Sequence, residues 1–381
     1  MPSILRVFTK RIFIVITVVV TVLFLLACSA WWLEPGRFWW VGILGVGFAF
    51  LFFALLGLLA FWTVVRSRWF FLPFFALLAG YGPIKAFYAL HPLSSHSTDK
   101  PRGTLRIMQW NVERFDEMNH RPRSGKSKRK EMLDYIEKLN PDIICMQEFL
   151  ESHEPKLLDP NIRYFRDTLG YPFYSYAMDH RRPDSTYEHG IAIFSRLPIT
   201  NTVRRKFGGP RELKADESYV TADIKVNGQM IRILTTHLQS LLFTRSEFQT
   251  VEEIKRGADG SLVKSKSIFK KFKQAYQFRQ QQADKIRRAL DGSPYPVIVC
   301  GDFNDVPNSY VYNKIKGRRN DVWTEKGFGI GRTFSFISPT LRIDYIFADP
   351  AFRCRQVLNP HPKLSDHYPV IADLELPTGK Q

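Results

Sequence analysis

The chain has 381 residues, a formal net charge of +18, four cysteines and 45% hydrophobic residues. Scattered cysteines with no paired spacing exclude a disulfide framework and a cysteine zinc site, and no repeat of solenoid period is present. The cationic excess suits an anionic partner, whether nucleic acid, an acidic membrane surface or a phosphorylated small molecule.

Charge is unevenly spread. Residues 1–100 hold eight of the 54 Lys/Arg and two of the 36 Asp/Glu, which leaves 46 against 34, or +12, in residues 101–381. The first 90 residues form a membrane region. Ile12–Leu33 has no charge and is long enough to cross about 30 Å of hydrocarbon as a helix. Glu34-Pro35-Gly36-Arg37 is a polar turn, Phe38–Val65 a second uncharged run, and Trp69–Leu90 a third, weakened by Pro73, Gly80, Pro83 and Lys85. Trp31, Trp32, Trp39, Trp40, Trp62 and Trp69 cluster at the run ends, as an interfacial aromatic belt does.

Arg6, Lys10 and Arg11 before the first run, and Arg66 and Arg68 after the second, belong on the cytoplasmic side. Three spans then place the C-terminal domain outside the cytoplasm, on an inner or plasma membrane. A re-entrant third run would leave it inside. Arg6–Arg11 followed by Ile12–Leu26 also fits a signal peptide, and Leu25-Leu26-Ala27-Cys28 resembles a lipoprotein cleavage box, but two further apolar runs suit a multi-span protein better.

Residues 91–103 read as a polar linker, and residues 104–377 as one catalytic domain. Strands are predicted from LRIMQWNV, PDIICMQEF, GIAIFSR, SYVTADIKV, MIRILTTHL, YPVIVCGDF, RIDYIFA and PVIADLEL, and helices over Lys130–Leu139 and Tyr276–Leu290. Cys145 and Cys300 fall in two of these strands and, with Cys28 and Cys354, read as small buried hydrophobes. Strands outnumber helices, and several are apolar on both faces. The expected fold is α/β (α+β), with packed sheets and helices outside. Two basic stretches interrupt the pattern, His120–Lys130 and the insertion 241–273, whose Lys264, Lys266, Lys270, Lys271 and Lys273 surround Phe269 and Phe272. Such a surface suits nucleic acid or anionic lipid, or is simply solvated.

Polar residues recur just past the apolar strands: Asn111, Gln147-Glu148, Thr236-His237-Leu238, Gly301-Asp302-Phe303-Asn304, Ile343-Asp344-Tyr345 and Ser365-Asp366-His367. Together and in this order, they resemble the motif set of the endonuclease/exonuclease/phosphatase superfamily, over roughly residues 104–377. That resemblance implies two mixed sheets in a four-layer sandwich. It implies a metal site for Mg²⁺ or Mn²⁺ with Glu148 as principal ligand, Asn111 beside it and Asp366 completing it. Asp302 would activate the attacking water, and Asn304 would hold the phosphate or the Asp302 side chain. His367, backed by Asp344, and His237 would contact the phosphoryl group from two sides. Glu113 falls where apurinic endonucleases carry an Asp, so it is a further metal-ligand candidate without a firm role.

Apurinic enzymes have a Tyr and an Asn in the strand where this chain has Thr236-His237-Leu238-Gln239-Ser240, and a repair enzyme has no use for membrane spans. The expected activity is therefore a membrane-anchored phosphodiesterase of endonuclease/exonuclease type, acting on a phosphate ester in nucleic acid. Its alternatives are a phospholipid or sphingolipid headgroup phosphodiesterase, a phosphomonoesterase, or a non-catalytic module binding anionic ligands. No feature calls for a protein partner, so a monomer is expected.

Overall fold

The computed structural model describes residues 4–92, 97–118, 127–208, 217–241, 262–336 and 338–376. Most of the basic stretch 120–130 and the first part of the insertion 241–273 lie outside the described residues, as do the side chains of Lys264 and Lys266. From Leu262 onward the insertion begins a helix, Leu262–Asp291.

The chain divides into two compact units. The first comprises residues 1–87 with 240–281 and 306–313, and the second comprises 88–239, 282–305 and 314–381. In the first unit lie α1 (Ile4–Ser29), α2 (Trp39–Val46), α3 (Phe48–Val64), α4 (Phe71–Ala79) and α5 (Tyr81–Phe87). Residues 7–29 of α1 are long and apolar enough to cross a membrane; α2–α3 and the α4–α5 segment each pass the same test only as a pair, bent by 61° and 67°.

Aromatic contacts fix the direction of each helix. Phe13 stacks on Phe61 at 4.4 Å, and Trp62 Nε1 donates to Thr17 Oγ1 at 2.8 Å, so the end of α3 lies beside the first half of α1. Phe48 meets both Phe24 and Phe87 at 5.4 Å, which brings the end of α1, the start of α3 and the end of α5 together. The segment from Arg68 to Phe87 thus runs from one end of the helical group to the other. Thr17 Oγ1 donates in turn to the Phe13 carbonyl at 2.7 Å, so neither polar group of the Thr17–Trp62 pair is left bare in an apolar setting.

The second unit is a sandwich of two six-stranded sheets. Its strands are β1 (Ala89–Leu90), β2 (Thr104–Asn111), β3 (Ile143–Ser152), β4 (Phe173–Arg181), β5 (Tyr187–Ser195), β6 (Ile199–Lys206), β7 (Ser218–Val226), β8 (Gln229–His237), β9 (Val297–Asp302), β10 (Asn320–Asp321), β11 (Phe328–Gly329), β12 (Asp344–Ala348), β13 (Arg353–Leu358) and β14 (Val370–Glu375). One sheet has the order β13-β14-β2-β3-β5-β4 and the other β10-β12-β9-β8-β7-β6; β1 and β11 form a separate pair. Each large sheet holds one parallel pair, β2/β3 and β8/β9, among antiparallel neighbours. The eight strands predicted from the sequence are all present, with ends moved by at most three residues.

Between the sheets, Ile107, Ile143, Ile191 and Ile193 meet Ile231, Ile233, Ile298 and Ile346. Each side chain is worth about 1.5–3 kcal/mol when fully removed from water. The outer face of the first sheet buries Trp110, Met146 and Phe149 against the apolar stripe of the helix Arg129–Leu139 and against Phe165. Strand β2, buried along its whole length, is covered on both faces. Cys145 and Cys300 are free thiols in the inner core, and Cys28 and Cys354 are also free and buried.

One register defect shapes the edge of the first sheet. Met146 pairs with Ala192 and Phe149 with Gly190, so Gln147 and Glu148 together face the single residue Ile191. This is a β-bulge, and Glu148 takes a left-handed φ of 48° in it. Opposite, a Cβ on Gly190 would lie 1.9 Å from the carbonyl oxygen of Ala177. Gly190→Ala should therefore separate β4 from β5 and destabilise the domain by about 1–3 kcal/mol or more. A melting temperature equal to wild type by calorimetry would show that the strand has room to spare.

Candidate active site

Three strands of the two parallel pairs, β2, β8 and β9, end on one rim, and the fourth, β3, bulges there. Asn111 ends β2 and pairs with Gln147, and His237 ends β8 and pairs with Asp302 at the end of β9. Asp344 opens β12 directly opposite Asp302. Parallel strands must end on the same side, so the topology alone gathers these residues. Two local devices complete the rim. The bulge in β3 turns Gln147 inward and leaves Glu148 at the edge. The turn Ser365–His367 is tied back to β2, where Ser365 Oγ donates to the Asn111 carbonyl at 2.9 Å and Trp110 Nε1 to the His367 carbonyl at 3.0 Å.

Asp302 is the hub. Its Oδ1 accepts the Asn304 backbone N–H at 2.9 Å, and its Oδ2 accepts Asn111 Nδ2 at 3.1 Å. The same Oδ2 lies 3.6 Å from His237 Nε2 and 3.7 Å from His367 Nε2. Behind His367, Nδ1 meets Asp344 Oδ2 at 2.9 Å, which fixes the ring and leaves Nε2 facing the rim. Asn304, at a left-handed φ of 50°, builds the tight turn after β9 and donates its side-chain amide to the Leu238 carbonyl at 2.9 Å.

The charges sort themselves accordingly. Burial works against protonation of His367, but the carboxylates of Asp344 and Asp302 outweigh it and hold this histidine well above its ordinary value. For His237, burial is again outweighed, by Asp302 and Glu148 among others, and the shift is upward. Glu148 is pushed up by burial yet ends below its ordinary value, because Arg114, His237, His367 and His189 surround it. Asp366 rises through burial and the charge of Glu148, which exceed the opposing effect of His367.

Two sets of side chains carry donors that a metal could use, and convergence of the donor atoms is seen in the first. Asp302, Asp344 and His367 offer atoms within 4.8 Å of one another, all buried. In that trio Asp344 and His367 already satisfy each other at 2.9 Å. Asn111, Glu148 and Asp366 offer only oxygen donors, with the Glu148 and Asp366 side chains still 26% and 24% exposed. A hard cation that retains several waters is better matched by the second group. Glu113 keeps a carboxylate oxygen on the Asp366 backbone N–H at 3.0 Å and so braces that turn.

Several residues at this rim carry no sequence signal of their own. Arg114 Nε reaches Glu148 Oε2 at 3.1 Å, from a turn in which Glu113, Arg114, Phe115 and Asp116 all have φ between 46° and 60°. Four consecutive left-handed L-residues are strained, at about 1–2 kcal/mol each, which neither composition nor periodicity announces. Beneath the rim, Gln109 and Gln147 bond each other, and Gln147 Nε2 also donates to Thr235 Oγ1 at 2.9 Å, across the two sheets. His189 is held down to about 4, by burial first and despite Glu148. Asp179 is pushed up to about 7 by burial, against the bond from Ser218 and the charge of His237. Gln109 and Gln147 stand near strand ends, where the sequence shows them; the others depend on turns and cross-sheet contacts.

Raised histidines contribute stability that is complete below about 6.5 and is lost as the pH rises through the higher folded-state values. Asp302→Asn removes a carboxylate shared by both rings. Both imidazole midpoints should fall in an NMR titration, and the alkaline loss of stability should begin at lower pH. Midpoints unmoved by the substitution would refute Asp302 as the cause.

The profile described as the Endonuclease/Exonuclease/phosphatase family matches residues 108–216 and 258–367, and one described as a domain of unknown function matches residues 10–87. By sequence the chain is similar to the uncharacterized protein YbhP of Escherichia coli K12, 24% identical over 258 residues that cover 65% of this chain and 88% of that one. Nocturnin of Xenopus laevis is 25% identical over 241 residues, covering 58% of this chain and 53% of the relative. The human Nocturnin catalytic domain, solved with bound sulfate, shares the fold at a TM-score of 0.51 and 19% identity, over 73% of this chain and 96% of that one.

Proposed function

Because the chain belongs to the endonuclease/exonuclease/phosphatase family, we propose that it is a Mg²⁺- or Mn²⁺-dependent phosphoric ester hydrolase of nuclease and phosphodiesterase type, carried on a membrane-spanning helical unit. The observation that carries this reading is the single carboxylate oxygen, Asp302 Oδ2, flanked by two upward-shifted histidines at 3.6 and 3.7 Å. Such an arrangement has a base and two cationic donors around one small space, which is what in-line attack on a phosphate ester requires.

Asn111, Glu148 and Asp366 would hold the metal ion, which supplies Lewis-acid stabilisation of charge on the phosphoryl oxygens when bound. Asp302 Oδ2 takes the proton of the attacking water. His367, oriented by Asp344, donates Nε2–H to a phosphoryl oxygen, and His237 donates from the other side and protonates the departing alkoxide. Asn304 keeps the Asp302 turn rigid. Arg114 holds Glu148 at the edge of the bulge and neutralises it between turnovers. A nucleic acid substrate is favoured by the +12 of residues 101–381, and a lipid headgroup by the membrane unit on the same chain.

The three-span reading also has support in the first unit. The basic residues Lys10, Arg11, Arg66 and Arg68 stand at one end of the helical group, while the end of α5 stands at the other. With the basic end cytoplasmic, the chain leaves the bilayer on the opposite side.

The whole chain, in detergent, should hydrolyse bis(p-nitrophenyl) phosphate with Mg²⁺ or Mn²⁺ and stop with chelator. Glu148→Gln and His367→Gln should each lower kcat by about 10²–10⁴-fold. Full activity in either variant, with unchanged folding by circular dichroism, would remove that residue from the site. On plasmid DNA, a steep loss of binding with salt is expected of a nuclease, whereas a lipid-directed enzyme should show little dependence in micelles.

A further inference from the structure

Where the chain reverses between α3 and α4, an open pocket of about 390 Å³ is lined by Trp62, Arg66, Ser67, Arg68, Phe70 and Phe71. We propose that this pocket binds the headgroup phosphate of an anionic phospholipid such as phosphatidylglycerol. The inference rests on reading the helical unit as membrane-spanning.

Charge comes first. Arg66 and Arg68 are exposed, and among the described residues neither has an ion-pair partner. Residues 1–87 contain one acid, Glu34, which sits on the turn after α1, at the far end of the helical group from Arg66. Lys10 and Arg11 precede Phe13 by two or three residues, and Phe13 stacks on Phe61, so they stand at the same end as the two arginines. Four cations, none with an ion-pair partner among the described residues, at one end of an apolar helical group form the electrostatic setting in which anionic headgroups are held.

Geometry comes second. Arg66 adopts a left-handed φ of 51°, and Ser67 caps the next turn by accepting the Trp69 N–H at 3.5 Å. This tight reversal presents two guanidiniums two residues apart, with the fork geometry that suits phosphate oxygens. The apolar lining, Trp62, Phe70 and Phe71, and the neighbouring valines bear on the rest of the ligand. Val64 is 83% exposed, Val65 50% and Phe71 56%, beside two charged arginines. In a membrane-spanning unit these apolar side chains meet acyl chains, so the phosphate carried by a lipid lies within reach of the arginines beside them. A zwitterionic headgroup brings its own cation against the arginines and should bind less well.

Two arginines at roughly fivefold each predict an enrichment of ~25-fold for phosphatidylglycerol over phosphatidylcholine. The whole chain would be reconstituted in an equal mixture of the two lipids, extracted in mild detergent and weighed by native mass spectrometry. Retained phosphatidylglycerol should dominate in the wild type. It should be lost in Arg66→Asn/Arg68→Gln, where Asn tolerates the left-handed backbone, and be kept in Arg66→Lys/Arg68→Lys. Equal retention by the Asn/Gln variant, or no preference in the wild type, would overturn the lipid site. Displacement by inorganic phosphate alone would reassign the pocket to a soluble anion and overturn it too. Release of the chain by alkaline carbonate is a separate failure, since it would contradict the membrane reading itself.

Discussion

Everything at the rim depends on how one buried carboxylate is surrounded. Asp302 is 1% exposed, and an isolated charge there would be costly. Two N–H donors, from Asn304 and Asn111, and two imidazoles within 3.7 Å offset that cost. The compensation works only if β8 and β9 end together, if β2 ends across from them, and if the turn at 365–367 folds back onto β2. The strand order therefore serves the electrostatics. Asp344 extends the same logic one step outward, since it supports the imidazolium that supports Asp302.

The polar layer under the rim explains why the two sheets can meet there without closing the site. Over most of the interface Ile, Val and Cys interlock. Near the strand ends, Gln109, Gln147 and Thr235 replace them and satisfy one another across the sheets. A buried polar network of this kind is stable only when fully paired, and it holds Asn111 and Glu148 at fixed height above the core. The bulge at Gln147–Glu148 then separates two neighbouring side chains by function, one into the network and one to the edge.

Much of this was legible in the sequence because the buried strands are long apolar runs and the chemistry sits at their ends. The eight strands read from such runs are those that cross the core. Missed were β4, β6 and β13, with the two-residue strands β1, β10 and β11. β6 is an edge strand of mostly exposed residues such as Arg204 and Arg205, with little alternation to read. The strained turn at 113–116 and the approach of Arg114 to Glu148 follow from tertiary contacts rather than local preference. In the helical unit, the apolar runs were plain and Gly80 was among the residues that weaken the third, but the break at Gly47 was not legible, because glycine within an apolar run is common in membrane helices. The compact unit also takes in residues 240–281 and 306–313, which composition places with the catalytic domain.

Which group of ligands takes the metal, and which takes the phosphate, decides the chemistry of the rim. Anomalous scattering at the manganese edge, from crystals of the chain soaked with Mn²⁺ and phosphate, separates the two directly. The peak is predicted among Asn111, Glu148 and Asp366, with phosphate oxygens against His237 and His367. A manganese peak within the Asp302, Asp344 and His367 trio, displacing the His367–Asp344 bond, would contradict the assignment of base, cations and metal ligands alike.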